Sequence, residues 1–309
     1  MLSAPWFQFS LPDFQYAFLS ILLEGAPFLL AGALLSGILE VYLPPSLMTQ
    51  LLSANPRLAI VASAFVGLVI PVCECGIVPV VRRLLRKGLP VSCGITYMLA
   101  APIVNPLVIL STMAAFRGQG ALEMTILRFA LGVVVAVSAG LLCTRFTSFS
   151  ILRPGLLSPD DGDHHHHGIE SGIRGRLANV AATATRDFLD VSVFFVLGAA
   201  AAALFGTAVN QEIILPLSTN LPLSVASLMG LASVLSVCST TDAFIAATLT
   251  AFPMAAKLAF LVFGPMLDFK LLFLYGAAFS NRFILLLALG LFVMIGLICW
   301  RIGSLNLAW

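Results

Sequence analysis

Charged residues are scarce in this sequence. Lysine, arginine, aspartate and glutamate together make up 10% of its 309 residues, whereas soluble domains carry about 25%. So few charges cannot cover a folded surface that faces water. Apolar residues reach 60%, and they gather in blocks long enough for the roughly 20 helical residues that cross a bilayer. The composition therefore predicts an all-α polytopic membrane protein.

Several functional signatures are also missing. No basic tail or patch points to nucleic acid, and no glycine-rich phosphate loop points to ATP hydrolysis. Neither HExxH nor GxSxG occurs, so we expect no enzyme and no cofactor. The amino terminus lacks a basic n-region, which argues against a cleaved signal peptide. The six cysteines all lie in or beside apolar segments, unlike those of an extracellular disulfide framework.

Eight apolar blocks predict about eight transmembrane helices, or ten segments if broken and re-entrant helices are counted separately. The predicted spans are 15–41, 57–80, 89–115, 124–144, 188–208, 222–246, 257–279 and 283–301. Basic residues concentrate after the second span, at 82–87, and in the polar connection 145–187. With eight spans, both regions share one face with the two termini. The positive-inside rule then predicts an inner-membrane protein whose termini and central connection are cytoplasmic.

The connection 145–187 separates two halves, 1–144 and 188–309, in which similar motifs recur in the same order. The matches are SILLEGAPFLLAGA (20–33) with RDFLDVSVFFVLGA (186–199), VCECG (72–76) with VCSTT (237–241), and APIVNPL (101–107) with GPMLDFK (264–270). Their shared order predicts two homologous transmembrane repeats, an architecture common in transporters. Four spans in each half imply parallel repeats, whereas a missed re-entrant segment would make them inverted.

The first candidate site is the segment IPVCECGIVPV, where two thiols and a carboxylate lie inside an apolar span. The residues are Cys73, Glu74, Cys75 and Gly76, flanked by two prolines that interrupt the helix. Residues two apart point to different sides of a helix, so both thiols reach one ligand only if this segment is not helical. Thiols suit soft centres such as trivalent arsenic or copper(I). The alternative is that these cysteines are small packing residues.

The matching segment of the second half is SVCSTTDAF. Its thiol is followed by three hydroxyls and a carboxylate: Cys238, Ser239, Thr240, Thr241 and Asp242. An intramembrane aspartate is costly and usually faces a pathway or a partner. The same residue types also cap helices, and capping is compatible with lining a pathway.

A third pair of segments contains prolines beside polar residues. These residues are Pro102, Asn105 and Pro106 in the first half, and Pro265, Asp268 and Lys270 in the second. The prolines predict broken helices, and the polar side chains predict contacts with solute or with another helix. Lys270 could instead extend to water at the membrane interface.

Two further carboxylates, Glu24 and Asp190, occupy equivalent repeat positions and are candidates for proton coupling. Either acid could instead be hydrated near a helix end. The polar connection also contains a histidine run that could bind a metal: His164, His165, His166 and His167. We interpret this run as part of a flexible linker, because four histidines alone fix no geometry.

Taken together, PVCECGIVPVVRRLLRKG, APIVNP, VCSTTDAF and LVFGPMLDFK resemble the organoarsenical-efflux (ArsP-like) permease family. The resemblance covers about residues 15–301 apart from the histidine-bearing centre. It implies a two-repeat permease, with characterised members exporting trivalent organoarsenicals. The residues that carry this implication are Cys73, Cys75, Gly76, Pro102, Asn105, Pro106, Cys238, Asp242, Pro265 and Asp268. The family motif often has serine where this chain has Glu74, an acid that favours a cationic or protonatable solute.

We therefore predict a secondary transporter that exports a thiophilic solute, such as a trivalent arsenical, through a site between the repeats. The expected partners are a small-molecule solute and membrane lipid, with no nucleic acid; the sequence does not reveal whether the chain forms a homo-oligomer. A permease for another sulfur- or metal-containing solute is one alternative. A membrane redox protein that uses Cys73 and Cys75 as a dithiol is another.

Overall fold

The structure is a computed structural model that describes residues 10–42, 55–145, 151–153, 173–208 and 220–305. Within these residues the chain forms twelve helices, and the all-α prediction is confirmed. In chain order they are α1 (Leu11–Tyr42), α2 (Pro56–Val69), α3 (Glu74–Arg86), α4 (Val91–Val104), α5 (Pro106–Ala115), α6 (Ala121–Cys143), α7 (Ile173–Ala208), α8 (Leu221–Leu235), α9 (Asp242–Thr248), α10 (Met254–Met266), α11 (Phe269–Tyr275) and α12 (Asn281–Ser304).

Six helical units of the described chain are long and apolar enough to cross a membrane. They are Leu11–Tyr42, Val91–Ala115, Ala121–Cys143, Gly175–Leu204, Met254–Tyr275 and Asn281–Ser304. The chain is therefore a multi-pass membrane protein. Helices α2 and α8 are apolar but have only 14 and 15 residues, fewer than the roughly 20 that a crossing needs. All eight predicted apolar blocks are present, and four of them are interrupted at their polar motifs.

Small residues show the directions in which the helices of the first half run. Helix α2 runs beside α4 in the same direction: Gly67 packs on Ala101, while Ile60 and Thr96 both pack on Gly140. That glycine lies near the end of α6, so α6 runs opposite to α4. Close contacts of this kind between small residues are typical of helices packed in membranes.

Helix α3 turns back along the path that α2 has taken. Leu85, near the end of α3, packs on Gly94 at the start of α4. The chain thus advances along α2 to the level of Ala101, reverses at residues 70–73, and returns along α3. Together these segments form a re-entrant hairpin, here called hairpin 1, in whose irregular turn Val72 is buried and Pro71 is exposed.

The second half follows the same path. Gly264 packs on Ala232, and Leu221 and Ala255 both pack against Gly303, so α8 and α10 run in the same direction and α12 runs against them. Helix α9 must therefore bring the chain back from the end of α8 to the start of α10. Helix α8, residues 236–241 and α9 form the equivalent hairpin 2.

The two halves cross the membrane in opposite senses. Helices α1 and α7 are antiparallel, since Gly25 packs on Phe195 and Gly37 packs on Val180. Each half contains one continuous crossing, a hairpin, a crossing broken near its middle, and a final crossing. Three crossings are an odd number, so the repeats are inverted. The parallel arrangement that eight full spans imply is wrong, because 57–80 and 222–246 enter the membrane without crossing it.

The hairpins also change which segments share a face. The ends of α3 and α6 lie on one face, here called the basic face, which carries Arg82, Arg83, Arg86, Lys87 and Arg145. The start of α1 and the end of α12 lie on the opposite face, here called the terminal face. The described helices differ from the predicted arrangement, because α6 ends and α7 begins on the basic face, opposite the start of α1 and the end of α12.

The predicted connection 145–187 includes the beginning of a helix. Helix α7 begins at Ile173, so residues 173–187 continue a spanning helix out of the apolar core. The histidine run 164–167 lies outside the described residues.

Candidate functional site

Four helices begin near the centre of the molecule, where the two hairpin turns meet the two broken crossings. Helices α3 and α9 begin at Glu74 and Asp242, which lie in their first turns. Asn105 caps α5 by accepting a hydrogen bond from Leu107 N at 3.0 Å. Asp268 caps α11 by accepting from Leu271 N at 2.6 Å. Polar side chains thus cap α5 and α11, the two helices that begin at the breaks in the crossings.

Prolines explain where the crossings break. Pro102 and Pro265 lie inside α4 and α10, a few residues before each break, and Pro106 is the first residue of α5. Each lacks the backbone donor that a continuous helix requires. The third predicted motif therefore positions the acceptors Asn105 and Asp268 at equivalent places in the two repeats.

The carboxylate of Glu74 binds groups from the second half. Its Oε1 lies 3.4 Å from Lys270 Nζ, and its Oε2 accepts a hydrogen bond from Ser239 Oγ at 3.1 Å. The lysine also donates to the Ser236 carbonyl at 3.3 Å and lies 3.7 Å from Asp268 Oδ2. Lys270 is 4% exposed, so the alternative in which it extends to the interface is wrong. One ammonium group lies between two buried carboxylates.

Asp242 is bound by an arginine of the first half. Arg128 Nη2 donates to both carboxylate oxygens, at 2.9 and 3.0 Å, and to the Ser239 carbonyl at 3.0 Å. Its other terminal nitrogen donates to Thr112 Oγ1 at 2.8 Å. Arg128 is not among the site residues predicted from the sequence. A lone arginine inside an apolar span was the signal that could have revealed it, because such a charge needs a buried partner.

The buried acids of this site outnumber its buried bases. Glu74, Asp242 and Asp268 face Arg128 and Lys270, and all five are at most 4% exposed. Three acids and two bases leave a formal charge of −1 if every group is ionised. Asp268 Oδ2 has no hydrogen bond among the described residues. A buried excess charge is costly, so binding a proton or a cation here would relieve it.

A pocket lies beside these ion pairs, on the side of hairpin 1 that faces the terminal face. Its lining residues are Ile21, Glu24, Gly25, Phe28, Cys73, Glu74, Cys75, Ser236, Cys238 and Lys270. Helix α1 supplies one wall, the two hairpin turns supply another, and Lys270 comes from α11. The pocket thus lies between the repeats.

Both thiols of hairpin 1 reach this pocket because the helix begins between them. Cys73 has extended backbone at the N-cap of α3, whereas Cys75 lies in its first turn. Cys238 joins them from hairpin 2 and accepts a hydrogen bond from Thr240 Oγ1 at 3.6 Å. Among the described residues, no three cysteine, histidine or acidic side chains are close enough to hold a metal ion. The three thiols therefore share a cavity without forming a ready metal site.

The remaining predicted site residues lie at helix starts, at the pocket wall or outside the pocket. Gly76 permits close packing: a Cβ there would lie 2.7 Å from the Phe28 carbonyl oxygen. Thr241 is the N-cap residue of α9. Glu24 is exposed and lines the pocket. Asp190 is outside the pocket, 55% exposed and 3.1 Å from Arg82.

Comparisons with known proteins identify relatives along most of the chain. Residues 10–302 match the family model ArsP_1, described as a predicted permease. The UPF0718 protein YcgR of Bacillus subtilis is 37% identical over 271 residues, covering 87% of this chain and 90% of that protein. A putative two-component membrane permease complex subunit of Streptococcus mutans is 36% identical over 269 residues, covering 87% of each chain. No solved structure matches the chain significantly.

Proposed function

The chain belongs to this predicted permease family, and on that premise we propose that it is a secondary transporter exporting a thiophilic solute through the pocket between its repeats. A trivalent organoarsenical is the solute class that suits the pocket best. The observation that carries the proposal is that Cys73, Cys75 and Cys238 line one cavity where both hairpin turns meet. Soft trivalent centres bind thiolates in preference to oxygen ligands.

The charged residues would compensate the solute's charge during transport. Lys270 lines the pocket and holds Glu74, so a cationic or protonatable solute could take the place of the ammonium group on that carboxylate. Asp268 lies 3.7 Å from the same nitrogen and could accept the ammonium group instead. Glu24, at the pocket wall, is the proposed proton-coupling acid in the conformation described here. Asp190 is its counterpart in the second repeat.

The basic face is the proposed cytoplasmic face. It carries the arginines at the ends of α3 and α6 and also Arg57 and Arg282, whereas the terminal face carries Arg117 and Arg301, with Lys257 buried near the start of α10. Under the positive-inside rule, this asymmetry supports an orientation in which both ends of the described chain lie outside. A solute leaving the cell would then enter from the basic face and leave through the pocket as it is seen here.

A membrane partner is compatible with this function. The Streptococcus mutans relative is named a subunit of a two-component permease complex. We propose that this chain, too, works with a second component or with another copy of itself. Purification under mild detergent from its native membrane would show which associated chain, if any, is retained.

Uptake of methylarsenite by everted membrane vesicles tests the transport proposal. Wild type should accumulate the solute, and Cys73→Ser and Cys238→Ser should each abolish accumulation. Cys299→Ser is the matched control, since that thiol is buried in α12, away from the pocket. Correctly inserted wild type that accumulates nothing would rule out the arsenical and favour a permease for another sulfur- or metal-containing solute.

The dithiol redox alternative makes a different prediction. If Cys73 and Cys75 cycle electrons, they should form a disulfide at a defined potential, whatever solute is present. If they bind solute, they should stay reduced and be protected from alkylation by it. Thiol titration of the folded protein with and without methylarsenite distinguishes these results.

A further inference from the structure

We propose that Arg82 and Arg83 form a gate that closes the pocket towards the basic face, and that Asp187 and Asp190 line the entrance when this gate opens. The inference rests on the proposed transport function and adds the path by which solute reaches the site from the second face. The two hairpins are equivalent in the repeats, but only the returning helix of hairpin 1 carries arginines that pair with acids of α7.

The end of α3 is joined to α1 and α7 by a layer of ion pairs. Arg82 lies 3.1 Å from Asp190, and Arg83 lies 3.0 Å from Asp187 and 3.5 Å from Glu40. Four residues after Arg83, Lys87 Nζ lies 3.4 Å from the Glu40 carboxylate and donates to the Leu39 and Glu40 carbonyls at the end of α1. Ser36 also donates a hydrogen bond to Asp187. Three helices are thus held together on one side of the pocket.

In the repeat alignment, these two aspartates correspond to residues of α1 that line the pocket. Residues 20–33 of α1 match residues 186–199 of α7, so Ile21 corresponds to Asp187 and Glu24 to Asp190. Ile21 and Glu24 are pocket-lining residues. Of their counterparts on α7, Asp187 is buried against Arg83, whereas Asp190 pairs with Arg82 and is 55% exposed.

Hairpin 2 lacks the corresponding cover. Its returning helix α9 has the sequence DAFIAAT, without lysine or arginine. It packs mainly against α5 and α10, whereas α3 packs against both α1 and α7. The pocket is lined by α1 and by the turn of hairpin 2, and its lining residues include none from α9.

Inverted repeats allow the opposite state to be inferred by exchanging the conformations of the two halves. In that state hairpin 1 moves away from α7, as hairpin 2 now stands away from α1. The pairs Arg82–Asp190 and Arg83–Asp187 separate, and both aspartates face an opening on the basic face. Glu24 becomes covered. Ion pairs that break and reform in this way give two discrete states rather than a continuum.

Access to Cys238 measures this equilibrium without any transported solute. In a variant with the other five cysteines replaced by alanine, a membrane-impermeant maleimide is applied to each face in turn. Labelling of Arg145→Cys in a separate variant identifies the basic face. Asp187→Asn/Asp190→Asn should raise the labelling rate of Cys238 from that face about tenfold, the shift expected when charged hydrogen bonds are lost. Labelling from the terminal face should slow.

A charge exchange and a matched control make the test specific. Arg82→Glu alone should also accelerate labelling from the basic face, and adding Asp190→Arg should restore the wild-type rate. Arg282→Gln removes an exposed arginine at the start of α12 on the same face and should change nothing. An unchanged rate in folded Asp187→Asn/Asp190→Asn protein, or faster labelling in Arg282→Gln, would overturn the gate.

Hydrogen exchange provides the same test with all native cysteines present. In Asp187→Asn/Asp190→Asn protein, backbone amides at the end of α3 should exchange faster than in wild type, and those of α6 should not. Equal exchange at the end of α3 would overturn the gate. A negative methylarsenite assay combined with these accessibility changes would remove the proposed solute and leave the gate standing.

Discussion

Glu74 and Asp242 are each the first residue of a returning hairpin helix, and each is bound by a base from the other half of the protein. Lys270 binds the first acid and Arg128 binds the second. Ser239 connects the two pairs, since its hydroxyl donates to Glu74 and its carbonyl accepts from Arg128. Both hairpin turns are therefore fixed by charges that cross the repeat boundary.

Replacing Lys270 with methionine should destabilise the protein strongly. It leaves Glu74 and Asp268 buried without their shared cation, and breaking a buried pair costs about 3–5 kcal/mol. Adding Glu74→Gln should recover much of this loss, because one of the two stranded charges disappears. Thermal unfolding in detergent measures both variants. Equal melting of the single variant and wild type would mean that the ion pair is not needed to hold the hairpin.

Replacing Arg128 with lysine keeps the charge but removes the planar group that reaches Asp242, Ser239 and Thr112 together. We expect a loss of about 1–3 kcal/mol in unfolding free energy. Asp242→Asn should weaken the protein less in the Arg128→Lys background than in wild type, since the pair is already impaired. A double-mutant cycle measures this coupling, and strictly additive effects would contradict it.

Gly76→Ala should be far more harmful than Gly230→Ala. At Gly76 the added methyl group would lie 2.7 Å from the Phe28 carbonyl oxygen, so α3 would have to move away from α1. Around Gly230 nothing lies within 4 Å, and alanine in a helix interior is favoured over glycine by roughly 0.5–1 kcal/mol. Melting temperatures of the two variants test the contrast. Similar behaviour would argue against close packing of α1 on α3.

Single cysteines at Arg145 and Ser304 should be labelled from opposite sides of the membrane. Three crossings in the second half separate the end of α6 from the end of α12. A membrane-impermeant thiol reagent should reach Ser304→Cys in intact cells and Arg145→Cys in everted vesicles, if the basic face is cytoplasmic. Labelling of both positions from one side would restore eight full spans and exclude the inverted arrangement.

The sequence was sufficient to predict that the protein is a helical membrane protein and where its helices are broken. Low charge and eight apolar blocks predicted a helical membrane protein, and prolines beside Asn105 and Asp268 predicted the breaks. The direction in which each helix runs could not be predicted from the sequence in the same way. A helix of 14 residues followed by residues 70–73 is compatible with a broken crossing or with a reversal, and only the contact of Leu85 with Gly94 decides between them.

Ion-pair partners were equally hidden from the sequence. Glu74 and Lys270 are separated by 196 residues, and no periodicity links them. Asp190 matched Glu24 by alignment, yet only one of the two lines the pocket, because the hairpins adopt different positions in the two halves. Residues that are equivalent in the repeat need not have equivalent surroundings in one conformation.

The crossed ion pairs also have a consequence for biosynthesis. Glu74 leaves the ribosome long before Lys270, so hairpin 1 is synthesised while the cation that neutralises it does not yet exist. An unpaired buried carboxylate is costly, and the first half therefore cannot complete its packing alone. Arg128 is likewise synthesised before its partner Asp242. Folding of this protein must end with the joining of both halves, and a chain stopped after α6 should remain a substrate for quality-control proteolysis.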